Sequence, residues 1–243
     1  MISKNEIKFV KSLSQKKFRD KESLFIVEGE KLVMEADSSG YEIVSLYRKD
    51  EIGDDNMSRI SSLSSPPPVL AVVKMRVYSG SILPKPGTLS LVLESLRDPG
   101  NMGTIIRLAD WFGIDNIYAS SDSVEMYNNK VIQASMGSVF RKSVFYTDIK
   151  ELVKEVKGKE LIYTTVLDGE SIYEADISQP GLIIIGNESS GVSEELVNLA
   201  DKKLFIPPYP GNLHRPESLN VATATAIVCS EFRRFFALKS QIK

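Results

Sequence analysis

The chain has 243 residues, 42% of them apolar and 26% charged, with a net charge of −2. That length buries a core without disulfides, and the near-neutral sum argues against a protein that holds nucleic acid by bulk attraction. The single cysteine, Cys229, and the single histidine, His214, have no partners at metal-ligand spacing, so zinc and iron–sulfur centres are excluded and no metal is expected.

In chain order, MISKNEIKFVKS lacks the apolar core of a leader peptide, and no run reaches the roughly eighteen apolar residues of a membrane span. A bacterial-type cytoplasmic protein with no membrane partner is the expectation. Residues 6–14 place Ile7, Val10 and Leu13 on one face of a short helix. Between Lys4 and Lys21 lie Lys8, Lys11, Lys16, Lys17 and Arg19, against Glu6 and Asp20 alone. This basic stripe suits RNA phosphates, with Lys11, Lys16, Lys17 and Arg19 as candidate contacts. On charge alone a solvated helix face is the favoured reading. SLFIVEG reads as a strand, EKLVMEADSSG as a helix stopped by Gly40, YEIVSLYR and VLAVVKM as further strands. These make a small α/β unit over 1–80. Ser79, Gly80, Ser81, Pro84, Pro86 and Gly87 mark a linker at 81–88.

From residue 89 to 243 the pattern alternates strand, loop and helix. LSLVLES, NIYAS, KSVFYT, ELIYTTV and GLIIIG suit buried parallel strands, with TIIRLADWFG and SEELVNLA as helices between them. The fold class is therefore α/β, a parallel-sheet domain preceded by the small α/β unit.

Three segments of this second domain follow strands and carry polar residues where packing does not ask for them, and in open parallel sheets ligands gather beyond the carboxyl ends of strands. In LRDPGNMGTIIRLADWFGID, Pro99, Gly100 and Gly103 are expected to shape a tight turn into a helix, with Asn101 as cap or ligand-facing amide. Arg107 is a surface arginine or a phosphate ligand. In LIIIGNESSGVSEEL, Glu188 sits at the tip of a buried strand, as a functional carboxylate or as a cap for the helix starting near Ser193. In FIPPYPGNLHRPESLNVATATAIVCSEF, Ser218 is expected to cap a helix rich in small residues, with Asn220 one turn inside it. The dinucleotide fingerprint, the P-loop and the G-x-S-x-G elbow are all absent.

Taken together, NMGTIIR, IIIGNESSG and IPPYPGNLHRPESLNVA resemble, in order and separation, the three signature motifs of the SpoU (TrmH) branch of the SPOUT methyltransferases. VEGEKLVMEA and the basic helix before it look like the RNA-binding domain attached to rRNA-modifying members. The resemblance implies a deep trefoil knot in the C-terminal domain, a homodimer, and S-adenosylmethionine as cofactor, its adenine held by backbone groups at Gly186, Ile206 and Leu219, with Thr165 a further candidate. It implies methylation of an RNA ribose 2′-hydroxyl, with Arg107 acting on the hydroxyl and Asn101, Glu188, Ser218 and Asn220 positioning substrate, loop and arginine. A guanidinium seldom yields its proton, so Arg107 is read as a donor to developing alkoxide, with an RNA phosphate as a candidate proton acceptor. The small residues from Ala222 to Ala226 suit the dimer interface. Ribosomal RNA is favoured as substrate by the N-terminal unit; tRNA, or RNA binding without catalysis, are the alternatives.

Overall fold

The structure, a computed structural model, describes residues 2–76, 83–209 and 217–240. The linker residues Ser79, Gly80 and Ser81, and the loop holding Pro210, His214 and Pro216, lie outside the described residues. The chain divides into two compact units, Met1–Gly80 with Glu125–Arg141, and Ser81–Val124 with Lys142–Lys243.

The first unit runs α1 (Lys4–Ser12), α2 (Lys16–Glu22), β1 (Leu24–Glu28), α3 (Glu30–Ser38), β2 (Ile43–Arg48), α4 (Lys49–Ile52), α5 (Asp54–Ile60) and β3 (Val69–Lys74). The two short helices α4 and α5 were not legible as periodic segments. Helix α1 starts on a capping box, in which Ser3 accepts from the Glu6 N–H and Glu6 accepts from the Ser3 N–H. β3 pairs antiparallel with both β1 and β2. Ile26, Leu70 and Val72 pack with Ile7, Val10 and Leu13 of the N-terminal segment and Met57 and Ile60 of α5.

The later insertion corrects the expected single cut at 81–88. Within Glu125–Arg141, α7 (Asn129–Ser135) packs on β1, and the Tyr127 ring lies 4.4 Å from that of Phe25. The physical reason is a set of polar anchors that a boundary drawn from strand and linker patterns cannot reveal. Arg19 pairs with Glu125, Arg141 with Glu35, and the Gln133 side chain donates to the Glu28 carbonyl at 2.9 Å.

The second unit contains β4 (Ser90–Leu93), α6 (Pro99–Trp111), β5 (Asn116–Ala119), β6 (Val144–Tyr146), α8 (Ile149–Val156), β7 (Leu161–Ser171), β8 (Gly181–Ile185), α9 (Glu194–Leu199), β9 (Lys202–Phe205) and α10 (Val221–Ser240). Its six strands are all parallel, in the order β6-β5-β4-β8-β7-β9. β4 and β8 are buried at every position, as strands covered on both faces must be. The chain leaves β4 toward β5 on one side and leaves β8 toward β9 on the other, so the β4/β8 pair is the switch point, the place beyond whose carboxyl ends open parallel sheets bind ligands. Register places Leu93 beside Ile185 there. Cys229 is buried in α10, and burial pushes its thiol up to about 12, so it is core rather than nucleophile. Among the described residues no helix is long and apolar enough to cross a membrane.

Candidate active site

The segment after β4 enters α6 by a route that differs from the expected turn. Asp98 is the N-cap, accepting from the Asn101 N–H at 2.8 Å, and Pro99 occupies the first turn. Proline costs nothing there because its missing N–H would be unpaired anyway. Gly100 and Gly103 therefore lie inside the helix, and Asn101 is freed from capping. Its side chain instead donates to Glu188 Oε1 at 3.0 Å.

After β8, Asn187 organises the loop, a role not read from the sequence. Its Oδ1 accepts from the Ser189 and Ser190 N–H groups at 2.9 and 3.2 Å, and its Nδ2 donates to the Ser95 carbonyl at 2.7 Å. An Asn two residues ahead of a pair of serines was the available signal, since Asn favours such turns. Glu188 does not cap α9; it faces the N-terminus of α6, where the Asp98 N–H also approaches it at 3.4 Å. The α9 terminus is served by Glu94, which accepts from the Ser193 N–H at 2.7 Å.

The third segment also departs from expectation. Asn220 is not inside α10 but ahead of it, accepting from the Ala222 and Thr223 N–H groups at 2.9 and 3.2 Å. A short amide satisfies orphan helix donors as well as a serine hydroxyl does, so Ser218 does not cap; it is exposed and makes no hydrogen bond among the described residues. The Asn220 Nδ2 donates to Asn101 Oδ1 at 3.0 Å. Asn101, Glu188 and Asn220 thus form one chain of hydrogen bonds from three separate segments. Arg107 lies outside this chain. It is exposed on α6, and among the described residues it has no ion pair or hydrogen bond.

The other candidate residues are placed by register. Thr165 is the point on β7 where pairing with β9 shifts, Gly186 follows β8 directly, and Ile206 follows β9 directly. Since β8, β7 and β9 are neighbours, these three lie side by side at one end of the sheet. Leu219, ahead of α10, is half exposed. Gly186 is required by the protein itself: a Cβ there would sit 2.2 Å from the Gly191 carbonyl carbon, where backbone cannot yield. Substitution at Gly186 therefore breaks the loop before any ligand is considered, so it cannot isolate a cofactor contact.

Of the basic stripe, Lys11, Lys16 and Lys17 are exposed. Arg19 is not. It is 2% exposed, paired with Glu125, and donates to the Leu13 and Ser14 carbonyls, each at 2.8 Å. It cannot meet a phosphate, and its charge is consumed inside the first unit.

An open parallel α/β sheet with a polar cluster at its switch point defines a ligand-binding enzyme class rather than one reaction. Comparison with known proteins narrows it. Residues 88–230 match the SpoU rRNA Methylase family, and residues 4–74 match the MRM3-like substrate binding domain. The chain is 31% identical, over 95% of its length and 97% of the relative, to the 23S rRNA (guanosine(2553)-2'-O)-methyltransferase RlmP of Bacillus subtilis (strain 168). It is similar to a TrmH-family protein from Porphyromonas gingivalis (34% identity, TM-score 0.82, covering 96% of this chain and 99% of that one). It is also similar to an AdoMet-bound rRNA methyltransferase from Sinorhizobium meliloti (30% identity, TM-score 0.84, covering 96% and 97%). The chain belongs to the SpoU rRNA methylase family.

Proposed function

We propose that this chain transfers the methyl group of S-adenosylmethionine to a ribose 2′-hydroxyl of ribosomal RNA. The observation that carries the reading is the hydrogen-bonded set Asn101, Glu188 and Asn220, assembled at the switch point from three segments far apart in sequence. The cofactor fits the residues present. Gly186 and Ile206 directly follow β8 and β9, and β7 leaves its ladder with β9 between Thr165 and Glu170, so main-chain groups there are available to an adenine edge. With Leu219 they are the proposed adenine contacts, and the C-terminal domain is proposed to carry the deep trefoil knot that the family resemblance implies. When bound, the cofactor supplies an electrophilic methyl group on a sulfonium.

The protein's part is to hold the ribose in line and to stabilise charge on its 2′-oxygen. Arg107 donates to that oxygen as charge develops. Glu188 holds the Asn101 amide, and Asn220 ties Asn101 to the start of α10, which fixes the helix that carries Arg107. Ser218, beside this cluster in sequence, is proposed to contact substrate.

A homodimer is proposed through α6 and α10. Ala222 and Thr225 are buried within the chain, so the small-residue run serves the subunit's own packing first. What remains outward is Trp111, 83% exposed, and a shallow hollow lined by Phe112, Tyr173, Ala226, Ile227, Ser230 and Glu231. A second copy would cover this mostly apolar surface. Ribosomal RNA over tRNA is supported by the full-length likeness to RlmP and by the substrate-binding match in the first unit. The cytoplasm is the proposed compartment, where such RNA is made in bacteria.

The test is methyl incorporation from labelled cofactor into rRNA and tRNA transcripts, followed by mapping of 2′-O-methyl positions. Label in a 23S fragment is the expected outcome. Label in tRNA alone would transfer the reading to tRNA, and failure to bind cofactor in calorimetry would leave an RNA-binding protein.

The first unit is proposed to dock the RNA through its exposed lysines. Replacing Lys11, Lys16 and Lys17 together by alanine should weaken RNA binding and reduce its salt slope by roughly 0.9 for each phosphate left without its lysine, taking the B-DNA value. Cofactor affinity should not change. A slope equal to wild type in filter binding across salt would make the stripe a solvated face.

A further inference from the structure

Ser95, where the chain leaves β4 for α6, has a φ of 52°. A left-handed backbone is strained for any residue with a Cβ, and it persists only where the surroundings over-determine it. Here they do. The Ser95 N–H donates to Ser120 Oγ at 2.8 Å, its Oγ donates to Asp122 Oδ2 at 2.8 Å, and its carbonyl accepts from Asn187 at 2.7 Å. The Ser120 hydroxyl donates to Asp122 Oδ1 at 2.7 Å, which turns a lone pair toward the Ser95 N–H. One carboxylate thus orients both hydroxyls that hold the turn, and those hydroxyls, Ser120 first, keep its carboxyl below the usual carboxylate range. From Ser95 the chain of contacts continues to the active site, because Asn187 shapes the loop that presents Glu188 to Asn101.

We propose that Asp122 is a positioning residue for the methyl transfer: through Ser95 and Ser120 it holds the left-handed turn whose carbonyl seats Asn187, and so sets Glu188 and Asn101 against the ribose. This rests on the function proposed above. Arg97 also faces Asp122, at 3.3 Å, which gives a rival role in which Asp122 only neutralises that arginine.

Glycine separates the two roles, since it takes a left-handed backbone without strain. In the full-length protein, Asp122→Ala should lower kcat about tenfold, the scale on which the strain of one left-handed residue acts on a rate. The KM for RNA and the cofactor affinity should stay within about twofold, as expected when neither ligand is touched. Asp122→Asn, which can still hydrogen-bond both serines, should recover most of the loss. The deciding variant is Ser95→Gly in the Asp122→Ala background, which should restore kcat to within about threefold of wild type. An unchanged kcat in Asp122→Ala, or a loss that Ser95→Gly does not rescue, overturns the proposal. Should the wild-type protein methylate no RNA, the functional reading fails separately. Amide exchange at Ser189 and Ser190 then decides: it should quicken in Asp122→Ala and return in the double variant, and unchanged exchange overturns the proposal.

Discussion

Arg107→Ala is expected to lower the methyl-transfer rate by at least about a hundredfold, the scale seen when one donor to developing charge is removed. The structure makes this a clean experiment. Arg107 is exposed, without a hydrogen bond or ion pair among the described residues, while α6 is anchored by Met102, Ile105, Ile106 and Ala109 on its buried side. Removing an unpartnered surface side chain should move stability by no more than about 0.5 kcal/mol. Cofactor affinity should also persist, because the proposed adenine contacts lie within β7, after β8 and β9, and ahead of α10, none of them on α6. Arg107→Lys should restore little, since lysine keeps the charge but loses the planar fork of donors. Single-turnover methylation at saturating RNA and cofactor is the measurement. A near wild-type rate in the alanine variant would remove Arg107 from the mechanism and leave the Asn101, Glu188 and Asn220 set to be reinterpreted.

Arg19→Ala should destabilise the first unit by about 3–5 kcal/mol, the usual cost of removing one partner of a buried ion pair. The reason is what remains behind. Glu125 would keep its burial without its cation, and the Leu13 and Ser14 carbonyls would lose their donor. Burial already pushes the Glu125 carboxyl above its ordinary value of 4.5, with Arg19 pulling the other way. Losing Arg19 removes that pull, so the folded-state pKa rises further above the unfolded one. The folded state then holds a proton that the unfolded state releases, and stability falls as pH rises from 4.5 through the folded value. The deficit of Arg19→Ala should accordingly be large at neutral pH and shrink in acid. Urea unfolding at both pH values measures it. A pH-independent deficit of less than about 1 kcal/mol would mean that the pair behaves like an exposed one.

These two arginines show where reading the sequence stops. Arg19 sits among exposed lysines in a mostly basic segment, and nothing in that local pattern marks it as the buried one. Its partner is more than a hundred residues away, on a segment that the strand and helix rhythm assigns to the other unit. Arg107, by contrast, was singled out as a candidate without any partner, because the motif that carries it is local and ordered.

The sequence by itself determined the α/β class, the parallel strands from β4 to β8, the family, and the three segments that meet at the site. Those follow from short-range patterns: apolar runs of strand length, glycine and proline at the breaks, and motifs each contained in one short segment. Only the tertiary structure decided which polar groups in those segments face one another. Asp98 took the cap and freed Asn101; Asn220 took the other cap and left Ser218 exposed; Glu188 turned to α6 while Glu94 served α9. Each of these is a choice among several chemically equivalent donors and acceptors, and equivalent groups are distinguished by distance across the sheet, which the linear order of residues does not contain.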